Sequence, residues 1–158
     1  MESASQALFA AGCFWGIEKA FLDVPGVTDA ESGYSGGKRE NPTYEQVCTG
    51  ATGHAETVRV AFDPAVVSYE ALVRKFFSIH NPTELNRQGP DVGSQYRSII
   101  FYADEEQKDV AEKVMAELSP KYYPTPIVTE VIPNEPFYRA EEYHQRYFEK
   151  NPSAVCHI

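Results

Sequence analysis

Apolar positions recur along this chain with two periods, and the switches between them mark the elements. Ala7-Leu8-Phe9-Ala10-Ala11 carries little polar content and predicts a short strand. Phe14, Ile17, Phe21 and Val24 follow at helical spacing, so a helix begins where that strand ends. Asp23-Val24-Pro25-Gly26 is a turn signal that stops it. Val27 to Tyr34 predicts a second strand, and residues 35–43 a loop by composition. Thr43 can cap a short helical turn through Cys48. From Glu56 to Phe62 the pattern alternates: Glu56, Val58, Val60 and Phe62 share one face, and Thr57, Arg59 and Ala61 the other. Either Glu56 is a partly desolvated carboxyl at the end of an apolar row, which raises its pKa, or the strand starts one residue later and Glu56 lies in a solvated turn.

Ser68 caps an amphipathic helix carrying Leu72, Val73, Phe76, Phe77 and Ile79, which His80-Asn81-Pro82 stops. A long polar loop runs to Ser94, and its Gly, Pro and Asp content favours function. Tyr96 to Tyr102 predicts a strand, and Asp104 with Gln107 a capping box. The next helix carries Val110, Val114, Met115 and Leu118. A linker over 120–126 and a strand from Ile127 to Ile132 follow. A last helix, from about Arg139 to Glu149, is expected to bury Tyr143, Tyr147 and Phe148. Asn151-Pro152 ends it before a tail with Cys156. Interleaved strands and helices indicate an α/β or α+β class with helices packed on one sheet. The pattern does not choose between a two-layer sandwich and a small doubly wound sheet.

The bulk numbers narrow the function. A chain of 158 residues fits one domain. Its 42% hydrophobic and 23% charged content is ordinary for a soluble globular protein. A net charge of −9 argues against a nucleic-acid partner, because no basic block neutralises phosphates. Residues 1–6 do not read as a signal peptide, and no apolar stretch approaches the roughly 20 residues of a membrane helix. Three widely spaced cysteines make no disulfide framework, which fits a cytoplasmic protein. The glycine-rich loop at Gly36-Gly37 lacks a phosphate fingerprint. Cys48, His54, Cys156 and His157 match no common zinc spacing, so no metal is expected.

Cys13 sits where the first strand turns into the first helix. Gly12 permits a tight turn there, and the positive end of the helix favours a thiolate. The only Trp of the chain, Trp15, follows two residues later beside Phe14. Read alone, Cys13 is either a reactive thiol or a small buried hydrophobe. Its surroundings are more specific. Gly12-Cys13-Phe14-Trp15-Gly16, Gly33-Tyr34-Ser35-Gly36-Gly37, Tyr44-Glu45-Gln46-Val47-Cys48, Gly53-His54-Ala55-Glu56 and Asn86 through Ser98 resemble, in order, segments of the peptide methionine sulfoxide reductases of the A type. The resemblance runs from about Leu8 to Cys156. It implies an α/β (α+β) two-layer sandwich around a mixed sheet with a ferredoxin-like core. The whole of 1–158 would then be one domain, with 150–158 a tail carrying a resolving cysteine.

Sulfoxide reduction needs a thiolate for sulfur and acids for the departing oxygen. Cys13 is the candidate nucleophile, Glu56 the acid, and Tyr44 and Tyr96 the phenol donors. Phe14 and Trp15 offer an apolar slot for the methyl group. The resemblance implies the same roles and adds Asp91 as a polar group that orients substrate. The product on Cys13 would be a sulfenic acid, resolved as a disulfide by Cys156, since a tail cysteine can move. The spacer Ser153-Ala154-Val155 departs from the glycine-containing form the family pattern leads one to expect. The resemblance also implies the S epimer of methionine sulfoxide as substrate, free or in proteins, thioredoxin as electron donor and no cofactor; a monomer is expected. Tyr34 is read as packing, His54 as ordering a turn, His80 and His144 as structural, and Cys48, after a buried-looking Val47, as an inert structural thiol. The rival reading is a non-catalytic redox sensor, which would use Cys13 and Cys156 but neither Glu56 nor the tyrosines.

Overall fold

The computed structural model describes residues 5–122 and 125–151. In chain order the elements are β1 (Ser5–Ala11), α1 (Phe14–Leu22), β2 (Val27–Ser35), α2 (Tyr44–Cys48), β3 (Ala55–Phe62) and α3 (Tyr69–Ser78). They continue as β4 (Arg87–Gln88), β5 (Asp91–Val92), β6 (Ser98–Tyr102), α4 (Glu105–Tyr122), β7 (Glu130–Pro133), β8 (Tyr138–Arg139) and α5 (Tyr147–Lys150). One sheet runs in the order β7-β6-β1-β3-β2-β8, and β4 and β5 form a separate small hairpin. Its pairings are antiparallel except β6 with β7. Within it, β1-α1-β2-β3-α3-β6 gives the spatial order β6-β1-β3-β2, which is the ferredoxin-like core.

The alternating strands divide the apolar residues between two faces. Phe9, Val58, Val60, Phe62 and Ile100 point to the face covered by Phe14, Ile17 and Phe21 of α1, Leu72, Val73, Phe76 and Phe77 of α3, and Ala111 and Val114 of α4. Leu8, Ala10, Ala55, Ile99 and Phe101 form a smaller cluster on the other face, with Ile132 and Phe137 against it. Phe9 is the centre of the larger core: its ring stacks on Phe21 at 5.0 Å and Phe76 at 5.3 Å. The helices start where their side chains can cap them. Ser68 Oγ accepts from Ala71 N at 3.0 Å, and Thr43 with Gln46 forms a reciprocal capping box. Asp104 accepts from Gln107 N at 2.9 Å, while the Gln107 side chain reaches back to Ala103 N.

Four elements depart from expectation, and one side chain with them. Tyr96 is not in a strand: it lies in a 3₁₀ turn over Ser94–Tyr96, closed by Tyr96 N donating to Gly93 O, and β6 starts at Ser98. The α4 backbone continues through 120 to Tyr122 rather than ending in a linker. β7 is shorter than expected and begins at Glu130. The last helix is broken into β8, a 3₁₀ turn over Glu142–His144 and the short α5. There the open edge of β2 overrides helical periodicity. Ala140 N donates to Ser32 O, and the Gln145 side chain bonds both Ser32 N and Ser32 O at 2.9 Å. Arg146 then takes a left-handed conformation, φ 52°, that no α-helix contains. Tyr143, expected to be buried, is exposed, and Tyr147 and Phe148 are half-buried. Cys156 and the rest of the tail from 152 lie outside the described residues.

Candidate active site

The turn between β1 and α1 is made by Gly12 at φ 101°, a conformation that favours glycine. Cys13 is the N-cap of α1, half-buried, and its side chain does not cap the helix. The first turn of α1 holds no acidic residue of its own. A carboxylate is supplied from the neighbouring strand instead. Glu56 is 2% exposed on the core face of β3, opposite Tyr34 in register, and its Oε1 accepts from Phe14 N at 3.1 Å. Of the two sequence readings of Glu56, the strand reading holds: β3 begins at Ala55. The carboxyl thus sits on the first amide beyond the cysteine.

Tyr44 is the first residue of α2. Its N–H donates to Glu141 Oε2 at 2.9 Å, and the other oxygen of that carboxylate accepts from Tyr34 OH at 2.8 Å. Tyr34 is therefore more than packing, since it fixes the residue that holds Tyr44. Burial would raise the Glu141 pKa, but the hydrogen bonds, that of the Tyr44 amide first, hold it below the usual carboxylate range. Tyr96 is set by the loop between α3 and β6. Gln88, buried, bonds Asn81 N at 2.8 Å and Asn81 O at 2.7 Å. Arg97 donates to Ser94 O at 2.9 Å and Gly53 O at 2.7 Å, tying the 3₁₀ turn to the segment entering β3.

Burial pushes both phenols up, and the negative field of Glu56 adds to it. Tyr96 also feels Cys48, Asp91 and Cys13, and Tyr44 feels Cys48 and Tyr96. Both phenols stay protonated and able to donate. Cys13, Glu56, Tyr44, Tyr96 and Asp91 thus come from β1–α1, β3, α2, the 3₁₀ turn and β5 to one locus. Beside them, Phe14 is fully buried, 6.3 Å from the Tyr44 ring and 5.7 Å from Tyr34. Trp15 is half-buried, and its ring stacks on Tyr147 at 3.8 Å.

Two residues belong nearer this locus than the sequence implied. His144 is fully buried, with Nδ1 accepting from Trp15 Nε1 at 2.8 Å and its ring 4.4 Å from Tyr44. Burial lowers its pKa, so it is a neutral acceptor for the indole. Only a histidine among aromatics marked it in the sequence, and the broken helix hid its direction. Cys48 is exposed and lies beside Tyr44. Partial desolvation of its thiol and the nearby Glu56 raise its pKa, although the Tyr44 hydroxyl lowers it. His54 orders the adjoining loop as expected: Nδ1 accepts from Gly37 N at 3.0 Å and Nε2 lies 2.6 Å from Arg39 O. His80 is structural, its ring nitrogens 2.7 Å from Phe76 O and Ser98 Oγ. Among the described residues no cluster of three His, Cys, Asp or Glu side chains could hold a metal.

A thiol at a helix start, a buried carboxyl on the next amide and two neutral phenols make a site suited to sulfur–oxygen chemistry, and comparison with known proteins agrees. The peptide methionine sulfoxide reductase family model matches residues 5–158. The chain belongs to this family. It is 54% identical over 155 residues to the peptide methionine sulfoxide reductase MsrA of Acidobacterium capsulatum, covering 98% of this chain and 99% of that one. It is 61% identical over 150 residues to the MsrA of Methanosarcina acetivorans, covering 94% and 80%. Among solved structures, yeast Mxr1 in its reduced form superposes with a TM-score of 0.91 at 37% identity, covering 98% of this chain and 90% of that one. Mxr1 has also been solved in complex with Trx2. The reductase returns methionine sulfoxide to methionine and is an oxidoreductase. Among its described residues, no helix is long and apolar enough to cross a membrane.

Proposed function

We propose that the reductase acts on the S epimer of methionine sulfoxide, free or in proteins, with Cys13 as nucleophile and Glu56 as general acid. The hydrogen bond from Phe14 N to Glu56 Oε1 carries this reading, because it holds the carboxyl one residue from the thiol. The Cys13 thiolate bonds to the sulfoxide sulfur while the oxygen takes a proton from Glu56 and hydrogen bonds from Tyr44 and Tyr96. Collapse moves the oxygen to Cys13 as a sulfenic acid and leaves methionine, reduced by two electrons. Phe14 and Trp15 receive the methyl group, and Asp91 orients the substrate. The thiol of Cys156 then condenses with the sulfenic acid, giving a Cys13–Cys156 disulfide and water. Thioredoxin reduces that disulfide by exchange, a role supported by the Mxr1 complex. The chain works as one domain and as a monomer, without cofactor, in the cytoplasm, where thiols stay reduced.

The test is reduction of separated epimers of a blocked methionine sulfoxide with dithiothreitol as donor. Wild type should consume the S epimer alone, and Cys13→Ser should consume neither. Activity on both epimers, or activity surviving in Cys13→Ser, refutes the proposal.

A further inference from the structure

Glu18 is a buried carboxyl that the chemistry above does not use. It lies on α1 one turn beyond Trp15 and is 1% exposed. The backbone amides of Arg146 and Tyr147 and the Ser32 hydroxyl face it. Among the described residues it forms no ion pair. The neighbouring charges are engaged elsewhere: on α1, Lys19 pairs with Asp23 at 3.0 Å, and at α5 the Arg146 guanidinium pairs with Glu149 at 3.2 Å and with Asp29 of β2 at 3.0 Å. The two amides belong to the left-handed turn at Arg146, a conformation held only where the surroundings demand it. That turn delivers Tyr147 onto Trp15, their rings 8° from parallel.

We propose that Glu18 is a positioning residue: by holding the amides of the Arg146–Tyr147 turn it keeps Tyr147 flat on Trp15 and so shapes the outer wall of the substrate slot. The inference rests on the reading of Trp15 as that wall. Glu18 Oε2 and Ser32 Oγ each lack a partner of good geometry. A proton on the carboxyl would let it donate to Ser32 while still accepting from the amides, so the neutral form completes the contact. Desolvation accordingly pushes the Glu18 pKa up to about 7, against the lowering effect of the two amides. A carboxyl whose docked pKa exceeds its free value favours the docked state when protonated. The hold is full below the free value of 4.5, weakens as pH rises towards 7, and is constant above it. The change in the docking equilibrium across that window is roughly 10²-fold.

Because Trp15 is the only Trp of the chain, its fluorescence reads this contact directly. In wild type its emission should titrate with a midpoint near 7. His144, the other titratable neighbour of Trp15, is held below its ordinary value by burial and should give a separate step at lower pH. Glu18→Gln mimics the neutral carboxyl and should abolish the neutral step while keeping KM at pH 8 at or below wild type. Glu18→Ala should show the undocked emission at every pH and raise KM about 5-fold with dithiothreitol as donor, kcat changing less than about twofold. A neutral step that persists in Glu18→Gln overturns the proposal, as does Glu18→Ala with emission and KM unchanged. Should Glu18→Ala fail to fold, the Glu18→Gln titration decides alone. Altered emission with unaltered KM would refute Trp15 as the wall and leave the hold of Glu18 standing.

Discussion

Replacing Glu56 with Gln separates proton donation from architecture. The amide has nearly the volume of the carboxyl, and its Oε1 can still accept from Phe14 N, now 3.1 Å away, so the start of α1 stays satisfied. What disappears is the proton for the sulfoxide oxygen. General acids contribute typically ~10²–10⁴ in rate. Tyr44 and Tyr96 remain as protonated phenols, so the loss should fall in the lower part of that range, roughly 10²–10³-fold at pH 7, or about 3–4 kcal/mol of barrier. Glu56→Ala differs in kind. It also leaves the buried Phe14 amide without an acceptor, at about 1–3 kcal/mol of stability, which lowers Tm by roughly 2–10 °C. The assay is single-turnover reduction of a blocked methionine sulfoxide by pre-reduced enzyme, quenched at intervals and analysed by chromatography, with Tm measured on the same samples. A Glu56→Gln rate within about threefold of wild type would refute the acid role. Wild-type rate and Tm in Glu56→Gln, beside losses of both in Glu56→Ala, would show that the carboxyl only braces the helix.

Cys156→Ser should release one methionine per enzyme in a single turnover and then stall with thioredoxin; undiminished turnover would exclude Cys156 as the resolving thiol. Phe9→Ala removes the ring at the centre of the larger core, fully buried between Phe21 and Phe76, and should cost about 3–5 kcal/mol, read from urea unfolding. Glu31 is held below its ordinary pKa by the hydrogen bond from Arg59 and, after it, by Arg139, against a raising effect of burial. Its contribution to stability is present above the unfolded value of 4.5 and is lost as pH falls through the lower folded value. Glu31→Gln should therefore be less stable than wild type at pH 7, with the gap narrowing as pH falls below 4.5; a gap independent of pH would refute the assignment.

Much of this molecule follows from local pattern. The apolar run of β1, the helical spacing of Phe14, Ile17 and Phe21, and the alternation from Glu56 to Phe62 each specify an element and its buried face without reference to the rest of the chain. Caps at Thr43, Ser68 and Asp104 set helix starts, because their partners lie three residues away. The motif residues Cys13, Phe14 and Trp15 were legible for the same reason: a turn, a thiol and an aromatic wall are contiguous. What contiguity could not reveal was decided by contacts between distant segments. Periodicity predicted a helix across Arg139 to Glu149, but the unpaired edge of β2 captured Ala140 and Gln145 and left Arg146 in a left-handed turn. That capture turned His144 inward to the Trp15 indole, set Glu141 between Tyr34 and Tyr44, and closed the Arg146 and Tyr147 amides over Glu18. Tyr96 was likewise aimed by a 3₁₀ turn tied to Gly53 through Arg97. The sequence by itself determined which side chains are candidates for the chemistry and which faces are buried. The tertiary structure alone decided which groups orient them, since hydrogen bonds between segments 42 to 129 residues apart leave no local period to read.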